Sequence, residues 1–356
     1  MSLTTARTGL TPQQWDDKFF AEYVRDNRFK RYMGTDENSI IQLKEDLTKA
    51  PGDKVTFASI NKLAGAGVTG NTTLEGNEEE MDARSMAVTV APLRHAVAVT
   101  NWDEQKSAID LRNASKMMLK LWSMEKMKTA LIDALGSING VAYASSSAAQ
   151  RNTWVVDNVD RVLFGKLKSN YSATHATALA TIDNTDDKLT TSAVSLMKRI
   201  AQNASPAIKP IRLNEDEEWY VLFANSLAFR DLSQDTAMTA ANRDARMRGV
   251  ADNPLFTGGS LVWDGVIIRE IPEIAYQAST IQVGPNYLCG AQALGVAWAQ
   301  RTKTTTQVSD YGFRNGCGLQ EMRGIEKLIF GSGAGDTDDL KDHGIVTGWH
   351  AAVADA

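Results

Sequence analysis

Two strand-like segments, "KVTFASI" (54–60) and "RSMAVTVAPLRHAVAV" (84–99), are separated by "NKLAGAGVTGNTTLEGNEEEMDA". The alternation of Val88, Val90, Val97 and Val99 reads as strand, with Pro92 marking an edge or a bulge. A connection this long without structure of its own is rare in a compact domain. It constrains the fold to one that projects a hairpin, with Gly65, Gly67, Gly70 and Gly76 as its joints.

The same glycines spell G-x-G-x-x-G in "GAGVTG", the dinucleotide fingerprint. That fingerprint needs the last glycine to open a helix whose N-terminus receives the pyrophosphate. Here "NTTLEGNEEEMDAR" follows, with β-branched threonines, another glycine and three glutamates that would repel phosphate. No acid stands between Arg84 and Val90 to hold a ribose. The motif is therefore read as loop, and no cofactor is expected.

A chain of 356 residues with net charge −5 has length for about two domains and lacks the broad basic face of a nucleic-acid binder. "MSLTTARTGL" is not a signal peptide, and the longest uncharged run, 278–300, is broken by Pro285, Asn286 and glycines, so no membrane span is expected. Cys289 and Cys317 read as reduced, buried residues.

The first helix is expected over 11–34, capped by Thr11 and Pro12 and stopped by Gly34. Trp15, Phe19, Phe20 and Tyr23 share one side, and Arg25, Arg28, Lys30 and Arg31 complement the dipole at its end. The longest element is expected from Asn101 to Gly136, with Asn101 and Glu104 as capping box and an apolar stripe from Leu111 to Leu135. Uninterrupted it would run about 50 Å. Loops and short helices are expected over 140–187. A second compact region follows: a helix at 189–204, a buried strand "EWYVLFAN", a short helix "SLAFRDLSQD", and a hairpin turning at Asp264-Gly265. Further β and short helical pieces run to Gly331, and the Gly- and Asp-rich segment 332–356 reads as surface, with Ile345 and Trp349 as an anchor.

Catalytic signals are thin. His95, His175, His343 and His350 form no HExxH pair, "GGSLV" lacks the closing glycine of a nucleophile elbow, and there is no P-loop. "DNTDDK", "DTDDLKDH" and "EDEE" read as solvated charge, not metal sites. An enzyme is not expected.

An arm, a long hairpin, an overlong helix and an α+β region come in that order. In that order, "WYVLFANSLAFRDLSQD", "NPLFTGGSLVWDGVIIREIPEI", "LCGAQALGVAW" and "DYGFRNGCGLQEMRGIEKLIFG" resemble the major capsid proteins of tailed bacteriophages with the Hong Kong 97-like fold, in a branch common in short-tailed phages. The resemblance implies an α+β fold with an N-terminal arm (1–50), an E-loop hairpin (51–100), a P-domain with the spine helix (101–188), an A-domain (189–285), a return to the P-domain (286–331) and a C-terminal tail (332–356). It implies a virion protein, made in the host cytoplasm, whose hexamers and pentamers close an icosahedral shell around double-stranded DNA without base readout. A scaffolding protein, a portal protein and a decoration protein are the implied partners. The arm helix begins at Thr11, which favours a separate scaffolding protein. Interface residues expected between subunits are Trp15, Phe19, Arg28, Arg31, Gly65, Gly67, Gly70, Glu78, Glu79, Glu80 and Arg84. An encapsulin-like nanocompartment, an oxidoreductase using Gly65–Gly70 and a secreted adhesin are the competing readings.

Overall fold

The computed structural model describes residues 27–45, 47, 52–63, 65–71, 73–107, 109–212, 217–246, 261–278, 281–332 and 335–353. They fall in two compact units. In chain order the elements begin with β1 (Met33–Gly34), β2 (Ile41–Lys44), β3 (Lys54–Ile60), β4 (Ala83–Thr89), β5 (Ala91–Thr100), α1 (Asn101–Lys106) and α2 (Leu111–Leu135). Then come α3 (Ala148–Asp157), β6 (Val162–Phe164), α4 (His175–Ala180), α5 (Thr191–Asn203), β7 (Ile211–Arg212), β8 (Glu218–Ala224), α6 (Ser226–Ser233) and α7 (Thr236–Arg246). The last strands are β9 (Leu261–Trp263), β10 (Val266–Glu270), β11 (Gln277–Ala278), β12 (Gln282–Cys289) and β13 (Leu294–Ser309). They continue with β14 (Arg314–Lys327), β15 (Ile329–Ser332), β16 (Asp338–Asp342) and β17 (Ile345–Ala352).

The larger unit, residues 28–91, 128–299 and 323–356, is built on a mixed sheet of order β6-β17-β12-β8-β10-β9. Helix α5 forms because Thr190 caps it, accepting from the Ala193 amide, and because Ala193, Val194, Met197, Ile200 and Ala201 recur at helical spacing. Those side chains pack on Tyr220, Leu222, Ile268, Leu288 and Val346 of the sheet. The opposite face carries Trp154, Val155, Phe164, Trp349 and Ala351. Successive residues of β17 thus enter two different cores, the period-2 rule at work, and all eight of its residues are buried. The expectation of a surface segment over 332–356 is corrected here: its last strand is central, paired antiparallel with β12 and parallel with β6. The Asp264-Gly265 turn forms as expected, both residues at positive φ (47° and 74°), the type I′ geometry that suits a two-residue hairpin.

The smaller unit includes residues 92–127 and 300–322. There β13, β14 and β5 lie side by side in that order. The first part of α2 covers one face, where Leu119 and Trp122 meet Cys317, Leu319 and Val97.

The single helix expected from Asn101 to Gly136 is divided. Thr100, not Asn101, caps α1 by accepting from the Asp103 amide, while Glu104 binds Arg112. Asp110 then starts α2 by accepting from the amides of Arg112 and Asn113. Ser107 and Asp110 offer the backbone side-chain partners in place of helical ones, so the 25-residue α2 spans about 38 Å instead of 50. Gly136 ends it as expected, its amide bonding the Ile132 carbonyl. Of the first expected helix, the described part is a 3₁₀ turn, Arg28–Tyr32, followed by β1.

Candidate assembly surfaces

The expected hairpin is β3 and β4, paired antiparallel from Lys54↔Thr89 to Ile60↔Ala83. Its base is fixed because Val55, Phe57 and Val88 alternate inward onto Ala297, Leu328 and Phe330. Ser85 donates through both its amide and its hydroxyl to the Asp336 carboxylate, 2.8 and 3.3 Å. Beyond Ile60 that burial ends. Ile60, Leu63, Leu74 and Met81 are each more than half exposed.

Gly67, Gly70 and Gly76 have φ of 70°, 72° and 86°, and a Cβ at any of them would meet nothing within 4 Å. Glycine is needed there for backbone conformation, not for space. Two of the expected interface glutamates bind within the loop: Glu79 accepts from the Gly65 amide and Glu78 from the Gly76 amide, both at 2.7 Å. Glu80 is exposed. Arg84 is half-buried, and its charge helps to lower the pKa of His343 and of Arg161 in the same subunit. Among the described residues no helix opens between Gly70 and Asn101, so "GAGVTG" presents no helix N-terminus to a phosphate there.

Trp15 and Phe19 lie outside the described residues. Arg28 donates to the Glu270 carbonyl and stands 3.6 Å from its carboxylate, so this cation is engaged within its own chain. Arg31 is exposed. Between them Phe29 is buried edge-on against Phe223, ring centroids 5.0 Å apart, and pins this turn to the larger unit.

The smaller unit holds a second projecting hairpin that the sequence reading missed, formed by β13 and β14. Its tip has three consecutive residues at positive φ: Asp310, Tyr311 and Gly312, at 53°, 48° and 92°. Asn101 holds the tip through three bonds. Its amide donates to the Phe313 carbonyl (2.9 Å), its side chain donates to the Gly312 carbonyl (2.8 Å), and it accepts from Asn315 (2.7 Å). Tyr311 is fully exposed, and Val308 and Trp102 are more than half exposed. The available signal was "TKTTTQVSDYGF", a β-prone run ending in a glycine turn.

The buried polar groups serve packing. Burial pushes His175, His343 and His350 down to about 4, aided for His175 by Arg151 and for His343 by Arg161. His175 sits among the rings of Tyr143, Trp154, Phe164 and Trp349. Lys327 and Asp342 form a fully buried pair at 2.8 Å, and the Trp154 indole also donates to Asp342. Burial raises the Cys289 thiol and so keeps it protonated and unreactive. Among the described residues, no three His, Cys, Asp or Glu side chains are grouped to hold a metal ion.

Projecting hairpins, uncovered apolar side chains and polar groups committed to packing describe a part of a larger assembly. A family model described as phage capsid protein matches residues 4–354. The chain belongs to the phage capsid protein family. It is 28% identical to the major capsid protein of Pseudomonas phage KPP25, over 96% of each chain. The structure is similar to the capsid of cyanophage Pam1, with 38% identity, TM-score 0.87 and all of both chains covered. It also matches the capsid of Ralstonia phage GP4, at 21% identity and TM-score 0.74 over all of both chains, a likeness of fold. As a major capsid protein the chain is a structural subunit that forms the shell of a phage, and it is not an enzyme.

Proposed function

We propose that this capsid protein has the Hong Kong 97-like layout. In this reading residues 1–50 are the arm, 51–100 the E-loop, and 101–188 the P-domain that carries α2. Residues 189–285 are the A-domain, and 286–331 return to the P-domain. Hexamers and pentamers of the subunit close an icosahedral shell in the host cytoplasm, built with a scaffolding protein and a portal, open to a decoration protein, and filled with double-stranded DNA. The observation that carries this reading is the hairpin of β3 and β4. A firmly buried base supports a loop whose glycines are free to turn and whose Leu63, Leu74 and Met81 stay uncovered in the single subunit. Exposed apolar side chains on a protruding hairpin are a liability that a neighbouring subunit removes.

The net charge of −5 supports a lining that holds DNA loosely, through phosphate contacts that salt disrupts and without reading bases. The experiment is negative-stain microscopy of the protein expressed in bacteria, with and without the scaffolding protein of its phage. Closed shells or capsomers are the expected result. A subunit that stays monomeric in both preparations would overturn the reading.

A further inference from the structure

Among the described residues, β3 and β4 form a sheet of their own, so no further strand hydrogen-bonds the outer edge of β4. A two-stranded ribbon is marginally stable by itself and twists readily. Its direction is therefore set by whatever grips its base. At about 3.3 Å per residue, β3 reaches about 20 Å from Lys54 to Ile60, so a small rotation at the base displaces the loop widely.

Three contacts run outward along β4. Gly324 of β14 lies against Thr89, where a Cβ would come within 2.2 Å of the carbonyl oxygen. The Ile329 amide donates to the Met86 sulfur, a weak acceptor, at 3.2 Å. Ser85, the outermost of the three, donates its amide and its hydroxyl to one carboxylate oxygen of Asp336. Such bonds to a carboxylate are roughly twice as strong as neutral ones. The turn between β15 and β16 aims that carboxylate. The register shifts between Phe330 and Ser332, an irregularity of the kind that redirects a side chain. Asp336 stands at φ 55°, a left-handed backbone that aspartate tolerates better than most residues. Gly331 packs so closely that a Cβ would lie 2.3 Å from the Asp336 carbonyl oxygen, which fixes where this backbone sits.

We propose that Asp336 is a positioning residue for assembly: through Ser85 it sets the angle at which the β3–β4 hairpin leaves the subunit, and with it the curvature at which copies join. The proposal rests on the reading of this hairpin as an assembly element. The contact joins a side chain to a strand edge. It can therefore release without breaking a rung of the β3–β4 ladder or opening the core around Val55, Phe57 and Val88.

Three substitutions in one turn test it. Asp336→Gly removes the acceptor and relieves the left-handed backbone. Asp336→Asn keeps an acceptor oxygen on a residue that tolerates this φ. Asp339→Gly relieves the same turn at φ 45° without touching Ser85. In the unassembled Asp336→Gly subunit, hydrogen exchange at Ser85 should quicken roughly tenfold, the loss of one hydrogen bond to a charged group, while α5 and β17 stay unchanged. Microscopy should show open and misshapen particles in place of most regular shells. Asp336→Asn and Asp339→Gly should both give regular shells. Regular shells of unchanged diameter from Asp336→Gly would overturn the proposal. So would misshapen shells from either control, since turn stiffness or charge would then matter instead of the bond. Faster exchange throughout the larger unit would also overturn it, because Asp336 would then support the fold and not the hairpin angle. If the unaltered chain forms no shell, the shell-forming reading is what fails, while exchange at Ser85 still decides whether Asp336 holds the hairpin.

Discussion

The two projecting hairpins of this capsid protein are built on opposite principles. The one from β3 and β4 keeps a buried base and ends in a long loop in which a Cβ on Gly67, Gly70 or Gly76 would meet nothing. The one from β13 and β14 ends in a tight tip with left-handed residues held by Asn101. Adaptability in the first comes from backbone positions without neighbours. Rigidity in the second comes from hydrogen bonds that offset a strained backbone. A shell needs both, since one subunit must fit unequal surroundings while keeping fixed points of reference.

The largest effect should follow from removing the adaptable element. Deleting Gly65–Gly76 should leave circular dichroism and the melting transition nearly unchanged, because this segment adds little to the core, yet closed shells should disappear under the microscope. Normal shells from the deletion would end the contrast drawn here.

Acid should separate the two units next. His175, His343 and His350 belong to the larger unit and sit near 4 when folded, against 6.5 for free histidine. The folded state resists protonation that the unfolded chain accepts. Stability is therefore full above pH 6.5, falls as the pH drops toward 4, and loses about 3 kcal/mol per histidine once all are charged. Hydrogen exchange at pH 7 and pH 4.5 should show α5 and β17 losing protection while the tip at 310–313 keeps its own. Uniform loss in both units would contradict this.

A smaller effect is expected from Asn101→Ala, which deletes two side-chain hydrogen bonds at the tip. The cost should be about 1–3 kcal/mol, read as a lower melting temperature with faster exchange at 310–316. Smallest, and of opposite sign, is Tyr311→Gly. It relieves a non-glycine residue at φ 48° and should stabilise the isolated subunit by up to about 1 kcal/mol. Destabilisation instead would show that the Tyr311 ring contributes more than the strain it imposes.

Local signals carried much of this structure. The alternation around Val55 and Val88, the spacing of Ala193 to Ala201 and the Asp264-Gly265 pair each state their element within a few residues. Gly67, Gly70 and Gly76 were readable as turning points because no periodic pattern competed with them, whereas Gly65 lies against Glu79 without a positive φ. Other features depended on distant partners. Strand β17 follows a run of Asp and Gly, and its place is set by β6 and β12, more than 50 residues away in sequence. The break before α2 was hidden because Ser107 and Asp110 are tolerated inside helices as well as at caps. Arg94 of β5 and Lys303 of β13 come into one sheet only with β14 between their strands, a pairing that nothing local announces.

The position of β17 has a consequence for synthesis. A ribosome makes the hairpin of β3 and β4 and most of the larger sheet before it reaches residues 345–352. Until those residues emerge, the gap between β6 and β12 stays open and neither core can close. A prematurely terminated chain therefore exposes unfinished β edges to cellular proteases and cannot compete for a place in the lattice. Placing a late strand at the centre makes complete translation a condition of assembly, and the shell is protected from truncated copies without a separate inspector.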